Sequence, residues 1–374
     1  MLSGLISAGS KVLGGARFSL ISVMPGFLLI TVIAVLVRTH LYDPDSPAVF
    51  SAVMPTKQEA LGAALFAFLA FLGGMLLRPF EASVVQLLEG YWAVPSPLAP
   101  LRRAAVEKHR RRRYRARVVI DHADGSNSEW DKKPTSSTSP RIGVRPLSEL
   151  AALDRAAARK ERSVARARHI RLGYPVRVLT PEDEPGGKDQ GELLPTLLGN
   201  ALLRGERLSG DRYGLDMPTV APRLYPFVSP RLQTAIRQQM DLISAATSLC
   251  VSLTLATVAM LPLLARLDVW SLLPAVPGCM AILAYRGAVA AALQHATLLC
   301  TVFDLHHFDV IKALHYKIPN RTESVVKLNR RLSEFLSAEN EQALDRFQRL
   351  RNYPMEHPSD DQDVLQRNDR NGTS

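Results

Sequence analysis

Four apolar runs without a single charged residue constrain this chain more than any other feature: residues 19–37, 60–77, 242–265 and 269–285. A helix needs about 20 residues to cross ~30 Å of hydrocarbon. Inside hydrocarbon the backbone can satisfy its polar groups only as a helix or a closed barrel. Each run therefore reads as a transmembrane helix. Lys11 and Arg17 precede the first run as they would in a signal peptide, but its apolar core is too long and no small-residue cleavage site follows, so a retained helix is predicted. The second run carries Gly62, Ala63, Ala67, Ala70, Gly73 and Gly74, a small-residue surface on which another helix can approach closely. Pro262 is expected to kink the end of the third. In the fourth, Pro274 and Pro277 are expected in the first helical turn, with Trp270 and Tyr285 at the two interfaces.

Charge is segregated as sharply as hydrophobicity. The chain carries a net charge of +11, and the stretch from Arg78 to Met240 by itself holds a surplus of that size. The connection 38–59 contributes only Arg38 and Lys57, and that between the third and fourth runs only Arg266. Basic residues stay on the cytoplasmic side, which places both termini and the central region in the cytoplasm, with two short outer loops. The predicted fold class is an all-α integral membrane protein: four transmembrane helices, a mainly helical cytoplasmic insert between the second and third, and a helical C-terminal tail. The predicted boundaries are a cytoplasmic N-terminus at 1–18, an outer loop at 38–59, the basic region at 78–240, a cytoplasmic helical tail at 286–353 and a disordered tail at 354–374. Cys250, Cys279 and Cys300 lie far apart in apolar surroundings, which fits small hydrophobic side chains in helices and no disulfide or zinc framework.

Within the basic region, "RPFEASVVQLLEGYW" (78–92) has the period of an amphipathic helix, either lying on the membrane with Tyr91 and Trp92 as anchors or packed on the cytoplasmic domain. "KHRRRRYRAR" (108–117) has seven Lys or Arg in ten residues. Such a run contacts nucleic acid in some proteins. Close to an anionic leaflet, however, each basic residue gains ~1 kcal/mol from the headgroups. Arg110, Arg111, Arg112, Arg113, Arg115 and Arg117, with Trp92, are accordingly expected at lipid headgroups, and the predicted partner is a bilayer with anionic lipids rather than nucleic acid. Residues 121–146 are polar and aperiodic and predict a disordered loop. A helix rich in Ala and Arg is expected from Ser148 to Arg171.

The most distinctive stretches are "LLPTLLGNALLRGE" (193–206), "RYGLD" (212–216) and "PRLYPFVSP" (222–230), supported by the 78–92 segment and by "YRGAVAAALQHATLLCTVFDLHHFDVIKALHY" (285–316). In these segments and their order the chain resembles a family of uncharacterised bacterial multi-pass membrane proteins. The resemblance implies a four-helix membrane protein with a cytosolic segment and implies no catalytic activity. The family pattern has Arg where this chain has Leu197, and Arg where this chain has His307. From the residues themselves, Leu193, Leu197, Ala201 and Leu202 share a helical face beside which Asn200 and Arg204 lie, either capping the cytoplasmic domain or meeting the mouth of the bundle with Glu206.

"FDLHHFDVIKALHY" (303–316) packs three histidines and two aspartates into fourteen residues. Spacing of three predicts ion contacts of Asp304 with His307 and of Asp309 with Lys312. Asp304 and His307 are the candidates for metal ligation, with His306 beside them. They supply at most two ligands, fewer than a closed site needs. The segment is expected to join the membrane bundle to the tail. In the tail, Asn320 and Glu323 read as a capping box, and Val325, Leu328, Leu332, Phe335 and Leu336 as one apolar helical face that docks on the cytoplasmic domain or a neighbouring subunit.

No phosphate-binding loop, nucleophile elbow, zinc-protease motif or paired CxxC occurs, and no cofactor is implied. The leading expectation is a non-enzymatic multi-pass protein of the cell membrane, acting as scaffold, sensor or membrane effector through its cytoplasmic region, as a homo-oligomer; its protein partner is not legible. An oligomeric ion channel is the first alternative, with Asn200, Arg204, Arg286 and Asp304 near an inner mouth or coupling point. A metal-dependent membrane enzyme using the 304–315 cluster is the second.

Overall fold

The computed structural model describes residues 20–39, 60–76, 78–92, 99–131, 147–175, 193–266, 268–337, 350 and 353–355. Among these residues every regular element is helical, and the single ladder-type pairing is an isolated bridge between Tyr316 and Met355. In chain order the α-helices are α1 (Leu20–Arg38), α2 (Ala60–Leu76), α3 (Glu81–Glu89), α4 (Ala99–Asp131), α5 (Leu147–Leu172), α6 (Leu197–Gly210), α7 (Met217–Leu224), α8 (Pro230–Met260), α9 (Ala275–Ala313) and α10 (Thr322–Leu336). The expected N-terminus at 1–18, most of the outer loop and most of the final tail lie outside the described residues.

Two compact units partition the chain. The first comprises Met1–Ala93 and Arg237–Ala292, the second Val94–Ile236 and Leu293–Ser374. Two helical stretches, Pro230–Ala265 and Val269–Ala313, are long and apolar enough to cross a membrane. They contain the expected third and fourth spans, and in the second α9 runs for 39 residues without a break at Arg286, so the 303–313 segment continues the same helix. Pro274 and Pro277 sit just before it and in its first turn, where the missing N–H groups cost nothing. Neither of the other two expected spans passes as a single membrane-crossing helix among the described residues. α2 has 17 residues, about 26 Å at 1.5 Å per residue, and qualifies only as a broken span with α3, to which it is bent by 59°. α1 has the 19 residues expected, of which Met24–Arg38 stands as a shorter apolar helix.

In the first unit, α2 offers α1 its small face. Ala70 and Gly74 are buried, and Gly73 lies against the Ile30 side chain, so a methyl group there would overlap it. Leu36 of α1 closes a second cluster with Met260 and Leu263, supported by Trp270 and Leu273. Meanwhile Leu255 and Val258 of α8 and Ile282 and Leu283 of α9 are exposed, as apolar side chains are where the surrounding solvent is hydrocarbon.

In the second unit, α4 and α5 form an antiparallel hairpin: His109 meets Tyr174 near one end, and Asp124 meets Arg168 near the other. Ala116, Ile120 and Ala167 are buried between them and Ile170 packs alongside, small side chains that let the two backbones close up. The expected Ala/Arg helix is present as α5. The expected disordered loop is corrected at its start, because α4 continues through residue 131; residues 132–146 lie outside the described part. A run in which Arg, Ala, Val and Ile dominate extends its helix into "DHADGSNSEWD" without needing a hydrophobic face there.

The rest of that unit has two adjoining cores. One joins Leu215, Val220, Leu224 and Val228 to Val302, Phe303 and Val310 of α9. The other joins Ile311 and Tyr316 to Val325, Leu328 and Leu332 of α10 and to Leu350. The predicted apolar face of the tail helix is thus buried within the chain itself. Its start differs from expectation: the N-cap is Arg321, with no side-chain cap, rather than Asn320.

Candidate functional site

The segments "RYGLD", "PRLYPFV" and "VFDLHHFDV", scattered over a hundred positions, meet in one place. Leu215 comes from the first, Leu224 and Val228 from the second, and Val302, Phe303 and Val310 from the third, all in one buried cluster. Above it sits a polar knot. Asp304 accepts hydrogen bonds from the Arg212 guanidinium at 3.1 Å and the Tyr213 hydroxyl at 2.7 Å. The Tyr213 ring stacks on His307 with centroids 4.1 Å apart and planes within 17°. His307 Nδ1 lies 3.0 Å from the Phe303 carbonyl, which can only accept, so that nitrogen carries the proton. His306 donates to Asp309 at 2.8 Å.

These contacts correct the pairing expected from spacing. Asp304 is engaged by Arg212 and Tyr213 rather than His307, and Asp309 by His306 rather than Lys312. Helical spacing shows which neighbours along one helix are in reach, but the partners of Asp304 come from a loop some ninety positions earlier. Burial, and then the bond to Asp304, push the Tyr213 hydroxyl above its ordinary pKa, so it stays a donor. Among the described residues no group of three His, Cys, Asp or Glu is placed to hold a metal ion. The third histidine, His315, is the left-handed residue (φ 57°) ending α9. Tyr316 N–H bonds to the Ile311 carbonyl and His315 N–H to that of Lys312, the paired closure of a Schellman turn.

α10 holds the "RYGLD" loop from the other side. Asn329, fully buried, donates to the Tyr213 carbonyl at 2.9 Å, and the Asp216 N–H donates to Ser333 Oγ at 3.0 Å. Gly214 has φ 71°, and a Cβ there would sit 2.6 Å from the Val326 carbonyl oxygen; only glycine fits.

The "LLPTLLGN" segment builds a helix start, not a ligand site. Thr196 caps α6 by accepting from Gly199 N–H. Asn200 is fully buried, accepts from Leu194 N–H at 3.0 Å and donates to the Leu194 carbonyl at 2.7 Å. Its amide is engaged in fixing that turn. Arg204 donates to the Tyr174 carbonyl at 3.1 Å, so α6 is tied to the end of the α4–α5 hairpin. One turn on, Gly205 faces Ala296 of α9, whose Cα would be 2.9 Å from an added Cβ. Arg286 is exposed on α9.

The basic residues lie along α4. Arg110, Arg111, Arg112, Arg115 and Arg117 are exposed and Arg113 is half-buried. Glu107 pairs with Arg110 and Arg111, and Asp121 with Arg117 at 3.6 Å. Exposed pairs of this kind are worth only ~0.3–0.5 kcal/mol, so they yield readily to another anion. Lys108, Arg111, Arg112 and Arg115 of α4 and Arg166 of α5 border a groove of about 740 Å³ between the two helices. Trp92 turns its indole N–H back to the Leu87 carbonyl at 2.9 Å, so that donor is not available to headgroups.

A second cavity, about 110 Å³, lies in the first unit among α1, α2, α3 and α8. Glu81 lines it, with one carboxylate oxygen accepting from Ser244 Oγ at 3.1 Å and the other buried without a partner. Ser248 Oγ, on the same lining, is also buried and unpartnered. Sequence reading passed over Glu81 as one polar residue of an amphipathic helix. Its signal was position: the first acidic residue after an apolar run.

No family model, curated protein or solved structure matches this chain.

Proposed function

We propose that this chain is a multi-pass inner-membrane protein with four spans and cytoplasmic termini, acting as a scaffold or effector that engages anionic lipid headgroups through its α4–α5 hairpin. The observation that carries this reading is the hairpin itself: a 33-residue helix that exposes Arg103, Lys108, Arg110, Arg111, Arg112, Arg115 and Arg117 within about four turns. Arginine is weakly hydrated and forks onto phosphate with paired hydrogen bonds, which favours a headgroup surface. The knot of Asp304, Arg212, Tyr213 and His307 fastens the 212–216 loop to α9, the helix that also carries an apolar span, and serves positioning rather than chemistry. The test uses the full chain in nanodiscs with an environment-sensitive dye on Tyr114→Cys, a position that is 68% exposed. A blue shift is expected with phosphatidylglycerol and not with phosphatidylcholine alone, fading with added salt. Equal spectra in both lipids at low salt would overturn the reading.

The Glu81 cavity favours a second reading, an oligomeric channel. Ionisable side chains among apolar helices mark ion pathways. Proteoliposomes would then leak cations, and Glu81→Gln would suppress the leak while Arg286→Glu would alter its selectivity.

A further inference from the structure

The groove between α4 and α5 has a composition that diffuse headgroup attraction does not require. Its floor is aliphatic, built on Ala116, Ala167 and Ile170. Its rim is cationic on both sides, with Lys108, Arg112 and Arg115 from α4 and Arg166 from α5. The one acidic lining residue, Glu107, is already paired to Arg110 and Arg111. At about 740 Å³ it falls within the ~300–1,000 Å³ of small-molecule sites.

We propose that this groove seats one anionic phospholipid per chain, its phosphate held by the arginine rim and an acyl chain laid along the aliphatic floor. The inference deepens the lipid-contact reading above and rests on it. Charge complementarity selects an anion, and two helices facing each other with guanidinium groups can fork onto one phosphate from both sides. The floor selects a hydrocarbon tail, since an aliphatic surface gains ~25 cal/mol per Å² when covered. Single-stranded nucleic acid is the weaker fit because no aromatic ring lines the groove to stack a base. The occupant is taken from the membrane, which the chain enters a short way along the sequence: α4 begins at Ala99 and the apolar α2 ends at Leu76.

Native mass spectrometry of the full chain in detergent, titrated with phosphatidylglycerol, tests this. One retained lipid per chain is expected. The variant Arg112→Gln, Arg115→Gln, Arg166→Gln should lose it at least tenfold in apparent affinity, while Arg110→Gln, Arg113→Gln, Arg117→Gln, with the same charge removed, should keep it. Ala104→Trp, at the exposed lip of the groove, should also expel the lipid with no change of charge. It covers the case in which the triple variant loses helicity by circular dichroism. Glycerol phosphate without acyl chains should compete at least tenfold more weakly. Equal losses in the two arginine triples, equal retention of phosphatidylcholine, or displacement of the lipid by a short oligonucleotide at matching concentration would each overturn the proposal. If only the adduct is indifferent to the groove while the Tyr114→Cys blue shift persists, the lipid seat fails and the headgroup reading stands; if the blue shift is absent too, both fail.

Discussion

His315 adopts a backbone conformation that L side chains avoid, and its side chain is exposed. His315→Gly should therefore stabilise the protein by about 0.5–1 kcal/mol, read as a rise in the midpoint of thermal unfolding in detergent; a loss of stability would show that the imidazole makes a contact of its own. Asp304 stands differently, because Arg212 and Tyr213 both donate to it. The Arg212–Asp304 pair is 39% and 43% exposed at its side chains, so water screens it. A double-mutant cycle with Arg212→Ala and Asp304→Ala should return a coupling of about 0.2–1 kcal/mol, and a value several times larger would mean that the knot is covered by something else. The density of histidine in "FDLHHFDVIKALHY" suggested shared chemistry. In space the three go to three separate tasks, a hydrogen bond to a carboxylate, a stacked ring and a helix stop.

At the scale of elements, polar contacts of Tyr174 close the α4–α5 hairpin and tie it to α6. His109 is one of them, its ring bonded to the Tyr174 hydroxyl at 2.9 Å, while Arg204 takes the Tyr174 carbonyl. Burial, reinforced by the positive charge of Arg112 and Lys108, lowers the His109 pKa below its ordinary 6.5, against a smaller opposing effect of the Pro195 backbone. The folded state then binds this proton more weakly than the unfolded one. Its contribution to stability is complete above pH 6.5 and is lost as pH falls from there through the folded value. Comparing wild type with His109→Gln, the difference in unfolding midpoint should be flat above pH 7 and shrink on acidification towards pH 5. A difference that grows towards low pH would reverse the sign assigned here. Ala and Arg propensity made α5 legible in sequence, and helix periodicity made α10 legible, because one side of α10 is buried. The extent of α4 was not, since arginine and alanine propensity carries that helix into residues whose polarity reads as a loop.

For the molecule as a whole, the apolar runs and the distribution of basic residues predict a side for each segment, which labelling can test. With Cys250, Cys279 and Cys300 replaced by alanine, Asp45→Cys should react with an impermeant maleimide in intact cells and Trp130→Cys only after lysis. Reaction at 130 from outside would invert the topology. The structure supplies two full-length apolar stretches and two shorter ones, so the labelling decides whether α1 and the bent α2–α3 pair cross fully.

The sequence by itself determined that this is a helical chain with membrane-length apolar segments and one strongly basic region, since hydrocarbon length, helical period and charge segregation are local properties that a linear string contains. Only the tertiary structure decided that "RYGLD", "PRLYPFV" and "FDLHHFD" form one core, that Asn200 is spent on a turn, and that Glu81 lines a small, mostly apolar cavity. Those facts depend on which side chains meet across long loops, and a string records neighbours along the chain rather than neighbours in space.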